Sequence, residues 1–78
     1  MIPTYIRLFN YIVDKKPEYP FTIIYEDKMS PTSFYLGLNI LLKAGLIKTT
    51  RDGVGHRLIY VEKNKKVRET FKRLAGVL

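Results

Sequence analysis

The side chains best suited to a specific chemistry are basic ones in the second half of the chain. Lys48, Arg51, His56 and Arg57 lie in or beside segment 51–56, whose two glycines indicate a loop. Cationic side chains on an exposed loop attract phosphate groups. These four residues are therefore candidates for contact with a phosphate-bearing partner. The alternative interpretation is a loop whose charges only keep the protein in solution.

The charge of the whole chain is uneven in the same direction. Among 78 residues there are 14 lysines and arginines and 7 acidic residues, which gives a net charge of +7. Residues 1–47 carry five basic and four acidic side chains, whereas residues 48–78 carry nine and three. A basic half is typical of proteins that bind nucleic acid, and net charge alone also fits a lysine-rich surface.

Other kinds of chemistry lack the residues that they need. The chain has no cysteine, which excludes disulfides and thiolate metal sites, and His56 alone cannot form a multi-histidine site. There is no paired-carboxylate motif, no Ser/His/Asp spacing and no glycine-rich phosphate loop. Asp14, Glu26 and Asp27 lie near basic residues and are interpreted as surface charges. We expect a protein that is not an enzyme and that has no cofactor and no metal.

Length and hydropathy predict a single domain over residues 1–78 that does not contact a membrane. No run approaches the roughly 18 apolar residues of a membrane span. The N-terminal residues Met1-Ile2-Pro3-Thr4 lack the basic start and apolar core of a secretory leader. The expected location is the cytoplasm, or the host cytoplasm if the source is viral.

One helix has clear start and stop signals. Ser30 is a good cap and Pro31 suits the first helical position, while Gly45 is typical of a left-handed helix exit. These signals predict a helix over about 31–44. The apolar spacing places four residues on its buried side: Phe34, Leu38, Leu41 and Gly45.

The remaining elements follow from periodicity and composition. A helix is expected over 4–16, with Thr4 as its cap, whereas 21–28 has both strand-like composition and helical spacing. Two β-branched runs within 46–61 predict a β-hairpin around the glycine-rich loop. Asn64 is a good cap for a last helix over about 64–77. Its apolar line consists of Val67, Phe71, Leu74 and Leu78.

The first helix has a wider apolar arc than one neighbouring helix requires. Either the domain itself covers this arc on two sides, or one stripe faces a partner subunit, and so short a chain favours the second. The last helix either packs on the first helix of its own chain or pairs with its counterpart. We therefore expect a homodimer through the N- and C-terminal helices. The two stripes are Ile2, Ile6, Phe9 and Val13, and Tyr5, Leu8 and Ile12.

Met29-Ser30-Pro31-Thr32-Ser33-Phe34 leads into a run that ends in Leu41-Leu42-Lys43-Ala44-Gly45-Leu46-Ile47. This stretch and the basic hairpin after it resemble winged helix-turn-helix regulators of the MarR-like and PadR-like groups over about residues 29–61. The chain's size also resembles the very small winged-helix proteins of archaea and their viruses. The resemblance implies an α+β, mostly helical fold with a three-helix core, a recognition helix (31–44), a β-hairpin wing (46–61) and a C-terminal helix. It also favours a helix over 21–28.

The resemblance implies a DNA-contacting surface on the recognition helix and the wing. Hydroxyl groups bind bases or phosphates, Asn39 suits the N6/N7 edge of adenine, and Tyr35 suits a phosphate or a thymine methyl group. For each residue the alternative is a solvated surface or local capping. Lys65 and Lys66 are the next candidates for phosphate contact. The predicted DNA-binding residues are Ser30, Thr32, Ser33, Tyr35, Leu36, Asn39, Lys43, Lys48, Arg51, His56 and Arg57.

One feature of the recognition helix departs from strong base readout. Lys43 is its single basic residue, and Leu36, Ile40 and Leu42 are apolar. Either the protein recognises DNA shape and phosphates, or these residues pack on the last helix, a second subunit or another protein. We therefore expect a double-stranded DNA-binding transcriptional regulator acting as a homodimer. The alternative is a winged-helix module that binds proteins.

Overall fold

A computed structural model of the chain describes residues 3–62 and 64–76, and within them it contains four helices and one antiparallel hairpin. The predicted class, α+β and mostly helical, is confirmed, and the element order is compatible with a winged helix. No helix in the described ranges is long and apolar enough to cross a membrane. The elements are α1 (Thr4–Ile12), α2 (Pro20–Glu26), α3 (Pro31–Lys43), β1 (Ile47–Arg51), β2 (Arg57–Val61) and α4 (Lys65–Gly76).

Helix α1 is shorter than predicted. It ends at Ile12 rather than near residue 16, and its N-cap is Pro3, with no side-chain cap bond from Thr4. Pro17 disfavours helical geometry in the residue before it, so the chain leaves the helix before this proline. The predicted cap at Thr4 is therefore wrong.

The connection between α1 and α2 pairs with the hairpin, which the sequence interpretation missed. The N–H of Glu18 donates to the carbonyl of Ile59 at 2.9 Å, and the N–H of Ile59 donates back to Glu18 at 2.8 Å. Pro17 and Pro20 on either side favour an extended backbone. This single-residue bridge fixes the start of α2 against β2.

Helices α2 and α3 are both present, and each begins at a proline. The helix favoured over 21–28 is present as Pro20–Glu26, with its proline at the first position. In α3 the Oγ of Ser30 accepts a hydrogen bond from the N–H of Ser33 at 3.2 Å, which confirms the predicted cap. Each helix thus starts where a proline supplies the backbone angle and needs no donor.

Two side chains of α1, those of Arg7 and Tyr11, make polar contacts with the end of α2. Arg7 Nε lies 3.0 Å from Asp27 Oδ2, and the same guanidinium donates to the carbonyl of Asp27. The Tyr11 hydroxyl donates to the carboxylate of Glu26. Burial, together with this hydrogen bond, raises the pKa of Tyr11 to about 12. Asp27 therefore links α1 to the end of α2 through Arg7, whereas the sequence analysis expected it to be a simple surface charge.

The core lies where α1, α2, α3 and the hairpin meet. Phe34, Leu38 and Leu41 are buried as predicted, whereas Gly45 is exposed and leaves the helix with a φ of 74°. Gly37 occupies the buried face instead, because α1 crosses α3 closely at that point. A Cβ at Gly37 would lie 3.3 Å from the Cα of Tyr5. The fully buried large side chains are Leu8, Ile12, Ile23, Phe34, Leu38, Leu41, Leu46 and Ile59.

Helix α4 packs on α1 of the same chain. The Oδ1 of Asn64 accepts a hydrogen bond from the N–H of Val67 at 2.9 Å, which confirms the predicted cap. Phe71 stacks on Phe9, with ring centroids 4.0 Å apart and planes inclined by 19°. Val67 is buried, and Leu74 packs against the core. Ile2, Val77 and Leu78, which belong to the predicted apolar stripes or to the end of the last helix, lie outside the described residues.

Candidate nucleic-acid interface

The outer face of α3 carries most of the residues predicted to contact DNA on this helix. Thr32, Tyr35, Leu36 and Asn39 are exposed, and Ser33 is half-buried. The ring of Tyr35 meets that of Phe34 edge to face, with centroids 5.0 Å apart, so the core helps to orient it. Two hydroxyl groups, a phenol and an amide therefore lie on a surface that a ligand can reach.

The two ends of α3 differ in character. Ser30 is exposed, but its Oγ already accepts the capping hydrogen bond. A ligand could therefore use only the O–H donor and the second lone pair of this oxygen. Lys43 is exposed in the last turn, where a cation interacts favourably with the helix dipole. The only positive charge of this helix is therefore about three turns away from the hydroxyl groups at its start.

Asp52 organises the hairpin loop. Its Oδ1 accepts hydrogen bonds from the N–H groups of Val54 at 3.0 Å and His56 at 2.8 Å, and its Oδ2 accepts one from the Tyr19 hydroxyl at 2.6 Å. The bond from Tyr19 is the main reason why the pKa of Asp52 falls from 3.8 to about 2, and the two N–H groups add to it. The same bond raises the pKa of Tyr19. This network anchors the loop to the connection before α2.

Arg51 and Arg57 lie directly opposite each other where the hairpin strands meet the loop. Like charges at such positions repel each other. The guanidinium of Arg51 donates through Nη1 to the carbonyl of Gly55 at 2.7 Å, within the loop. His56 is exposed, with its Nδ1 3.5 Å from Asp52 Oδ2. Arg51 thus supports the loop conformation, whereas Arg57 lines a surface groove that α2, α3 and the hairpin form together.

Lys48 lies at the opposite end of the hairpin from the loop, so the prediction that it lies in or beside the loop is wrong. It pairs with Tyr60, three residues before Arg51, which separates the two by about 10 Å along the strand. Its Nζ is 2.6 Å from Glu62 Oε2, and this interaction raises the pKa of Lys48. Glu62 neutralises the charge of Lys48 locally.

A surface groove brings α3 and the hairpin together. It has a volume of about 460 Å³ and includes three predicted site residues, Tyr35, His56 and Arg57. The connection before α2 and α2 itself complete the walls. The full lining is Tyr19, Pro20, Phe21, Ile24, Tyr35, His56 and Arg57.

The sequence analysis did not identify three residues of this region as part of the site. Tyr19 and Asp52 are 33 positions apart, so their hydrogen bond leaves no local signal. Phe21 was weighed only as part of an ambiguous helix, yet 75% of its surface is exposed. The available signal was a pair of aromatic residues, Tyr19 and Phe21, on either side of Pro20 at the start of α2.

Comparison of the sequence with models of known protein families and with curated proteins finds no match. In residues 3–62 and 64–76, no three histidine or acidic side chains lie close enough together to hold a metal ion. The side chains and geometry of this surface are therefore the basis for its functional interpretation.

Proposed function

We propose that the protein is a winged helix-turn-helix protein that binds double-stranded DNA. In this interpretation α2 and α3 form the helix-turn-helix, α3 is the recognition helix and the β1–β2 hairpin is the wing. Helix α3 enters the major groove, and the hairpin contacts the adjacent phosphates or minor groove. The observation that carries the proposal is that Tyr35 of α3 and Arg57 of β2 line one groove, which gives the helix and the basic hairpin a common exposed face.

The distribution of charge favours recognition of phosphates and DNA shape over base readout. Within α3 only Lys43 is cationic, whereas guanine is usually read by arginine or lysine. Asn39 is the side chain best suited to a base edge, through adenine N6 and N7. Most of the affinity then comes from phosphate contacts and falls with salt concentration.

The regulatory role and the homodimer are further parts of the proposal. A twofold dimer would place two copies of α3 about 34 Å apart, on an inverted-repeat site. The stack of Phe71 on Phe9 occupies part of the apolar line of α4 within one chain. A dimer through α1 and α4 therefore has to use the surface beside this stack, and the solution mass of the protein tests it directly.

Arg57→Gln is the most direct test of the proposed DNA contact. We expect weaker binding to a random duplex in fluorescence anisotropy and a salt dependence whose slope is smaller by about one. Arg57 is a better target than Arg51, because a change at Arg51 also removes the bond to Gly55 that supports the loop.

Lys72→Gln is the matched control, since it removes one exposed charge from α4 and not from the proposed interface. It should leave both the affinity and the salt slope close to those of the unmodified protein. Equal losses in the two variants would mean that net charge, rather than this surface, drives binding. Absence of duplex binding even at low salt would refute the proposal.

The second candidate is a winged-helix module that binds another protein through α3. Leu42 packs against the core, which accounts for one of the three apolar residues that raised this possibility. Leu36 and Ile40 still expose 62% and 42% of their surface. A partner held by this face should tolerate Arg57→Glu and lose binding with Leu36→Asp, whereas duplex DNA should be lost with Arg57→Glu.

A further inference from the structure

We infer that the groove between α2, α3 and the hairpin holds an unpaired nucleobase next to the duplex on which α3 lies. This inference rests on the proposed DNA binding and adds a second kind of contact to it. The groove's volume of about 460 Å³ lies within the range of roughly 300–1,000 Å³ that is usual for ligand pockets. Its chemistry, rather than its size, indicates the occupant.

The groove has aromatic rings from different elements along its walls. Phe21 comes from α2 and Tyr35 from α3, while Tyr19 comes from the connection before α2. Phe21 has no polar atom, yet 75% of its surface is exposed, so this ring contributes little to the core. Exposed aromatic rings are the usual platforms on which single-stranded nucleic acids stack their bases.

The polar groups at the groove complement an anion. Arg57 and His56 belong to the lining, and no lining residue is acidic. Asp52 contacts the lining residue Tyr19, and its carboxylate accepts hydrogen bonds from Tyr19, Val54 and His56. A nucleotide combines a flat ring with a negative phosphate and so matches both parts of the groove, whereas a purely apolar peptide matches only the rings.

Two of the three rings, those of Tyr19 and Tyr35, are also held in place before any ligand arrives. Tyr19 is fixed by its bond to Asp52 and by edge-to-face contact with the ring of His56, at a centroid distance of 6.3 Å. Tyr35 is held against Phe34. A preorganised platform loses little conformational entropy when a base stacks on it. The groove is therefore built for a rigid planar group.

The test compares three DNA probes of the same sequence by fluorescence anisotropy at one salt concentration. The first is a blunt duplex, the second carries one extra unpaired adenine in one strand, and the third carries an abasic nucleotide there. The abasic probe keeps the extra phosphate and the flexibility of the bulge but lacks the ring. We expect the adenine probe to bind more tightly than the abasic probe, on the order of tenfold.

Variants at Phe21 assign the preference to the groove. Phe21→Ala and Phe21→Leu should remove the preference for adenine, because neither retains an aromatic face, whereas Phe21→Trp should preserve it. Tyr25→Ala is the matched control: Tyr25 is on the same helix and 79% exposed, but it does not line the groove. Because Phe21 is exposed, its variants should fold, which circular dichroism can verify.

The outcomes separate the inference from the proposed function. If the blunt duplex binds but adenine and abasic probes bind equally, or if Phe21→Leu keeps the preference, the inference is wrong and the proposed function stands. If only the adenine probe binds, the proposed duplex binding is wrong, and so is the inference of a base held beside a duplex on which α3 lies. If no probe binds at low salt, the inferred base site and the proposed duplex binding are both wrong. Binding of a protein would then be the next function to test for this groove.

Discussion

At the scale of single residues, Asp52 has the most consequential contacts in the hairpin. Its carboxylate joins the hydroxyl of Tyr19 to the N–H groups of Val54 and His56, and so links the loop to the segment before α2. A bare hairpin with two glycines in its loop would have considerable freedom. The network restricts that freedom and holds Arg57 and His56 beside α3.

Tyr19→Phe should raise the pKa of Asp52 from about 2 towards its ordinary value of 3.8, because it removes the main hydrogen bond to the carboxylate. A carboxyl titration followed by NMR measures this change. In the unmodified protein the depressed pKa stabilises the folded state fully above about pH 4. This contribution is lost as the pH falls towards 2.

The same variant should show a weaker loss of stability between pH 4 and pH 2. Glu69→Gln on α4 is a control, because it removes an exposed carboxylate away from the hairpin. An unchanged pKa of Asp52 in Tyr19→Phe would mean that the N–H groups of the loop, rather than the phenol, stabilise the carboxylate.

At the scale of elements, the crossing of α1 over α3 depends on a glycine. Gly37 is buried in α3, and a Cβ there would lie 3.3 Å from Thr4 Cγ2 and from the N and Cα of Tyr5. Glycine normally costs about 1 kcal/mol in a helix interior relative to alanine. Its presence in the middle of α3 is explained by the close approach of the α1 backbone.

Gly37→Val should lower the free energy of unfolding by about 1–3 kcal/mol, because the branched side chain would collide with the backbone at the start of α1. Urea denaturation measures this loss. Asn39→Val tests the intrinsic helix preference of valine at an exposed position of the same helix, and it should change stability by less than about 0.5 kcal/mol. Similar effects at both positions would contradict the close packing at Gly37.

At the scale of the whole molecule, two regions of different character can be distinguished: one joins the first and last helices, and the other lies in the elements between them. The α1–α4 contact is apolar and centred on the Phe9–Phe71 stack. The exposed large hydrophobic side chains found in residues 3–62 and 64–76 lie instead on α2, α3, the hairpin loop and the connection before α2. The two elements proposed to contact DNA, α3 and the hairpin, and the inferred base site all lie in this second region.

Phe71→Ala should lower the free energy of unfolding by about 1–3 kcal/mol, through loss of half-buried apolar surface and of the aromatic stack. Thermal and urea denaturation measure this effect. Arg68→Ala, exposed on the same helix, should stay within about 0.5 kcal/mol of the unmodified protein.

The molecular mass of Phe71→Ala in solution connects the α1–α4 contact to the dimer proposal. If α4 contributes to a homodimer, the variant should dissociate more readily than Arg68→Ala as the protein is diluted. A monomeric unmodified protein would refute the proposed dimer and leave the stability prediction intact.

Local signals in the sequence were sufficient for most elements. The Ser30-Pro31 start, the left-handed exit at Gly45 and the Asn64 cap each depend on residues within one helical turn. Backbone angles and capping bonds are short-range, so they can be read from adjacent residues. The exposed positions of Tyr35, Leu36 and Asn39 followed from helical periodicity for the same reason.

Long-range pairing decided the remainder. Glu18 pairs with Ile59, Tyr19 bonds to Asp52, and Lys48 is neutralised by Glu62, none of which has a periodic signature. These contacts fix the start of α2 against β2, hold the loop and remove Lys48 from the basic cluster.

The residue types and local spacing therefore determined the first, third and last helices, both strands and which side chains of α3 face outward, whereas residues 21–28 were assigned to a helix from the family resemblance. Only the tertiary structure decided that Phe21, Tyr35 and Arg57 share one groove. The physical reason is that a groove between α2, α3 and β2 depends on how three elements pack, and packing is set by side-chain volumes and hydrogen bonds between residues that are distant along the chain.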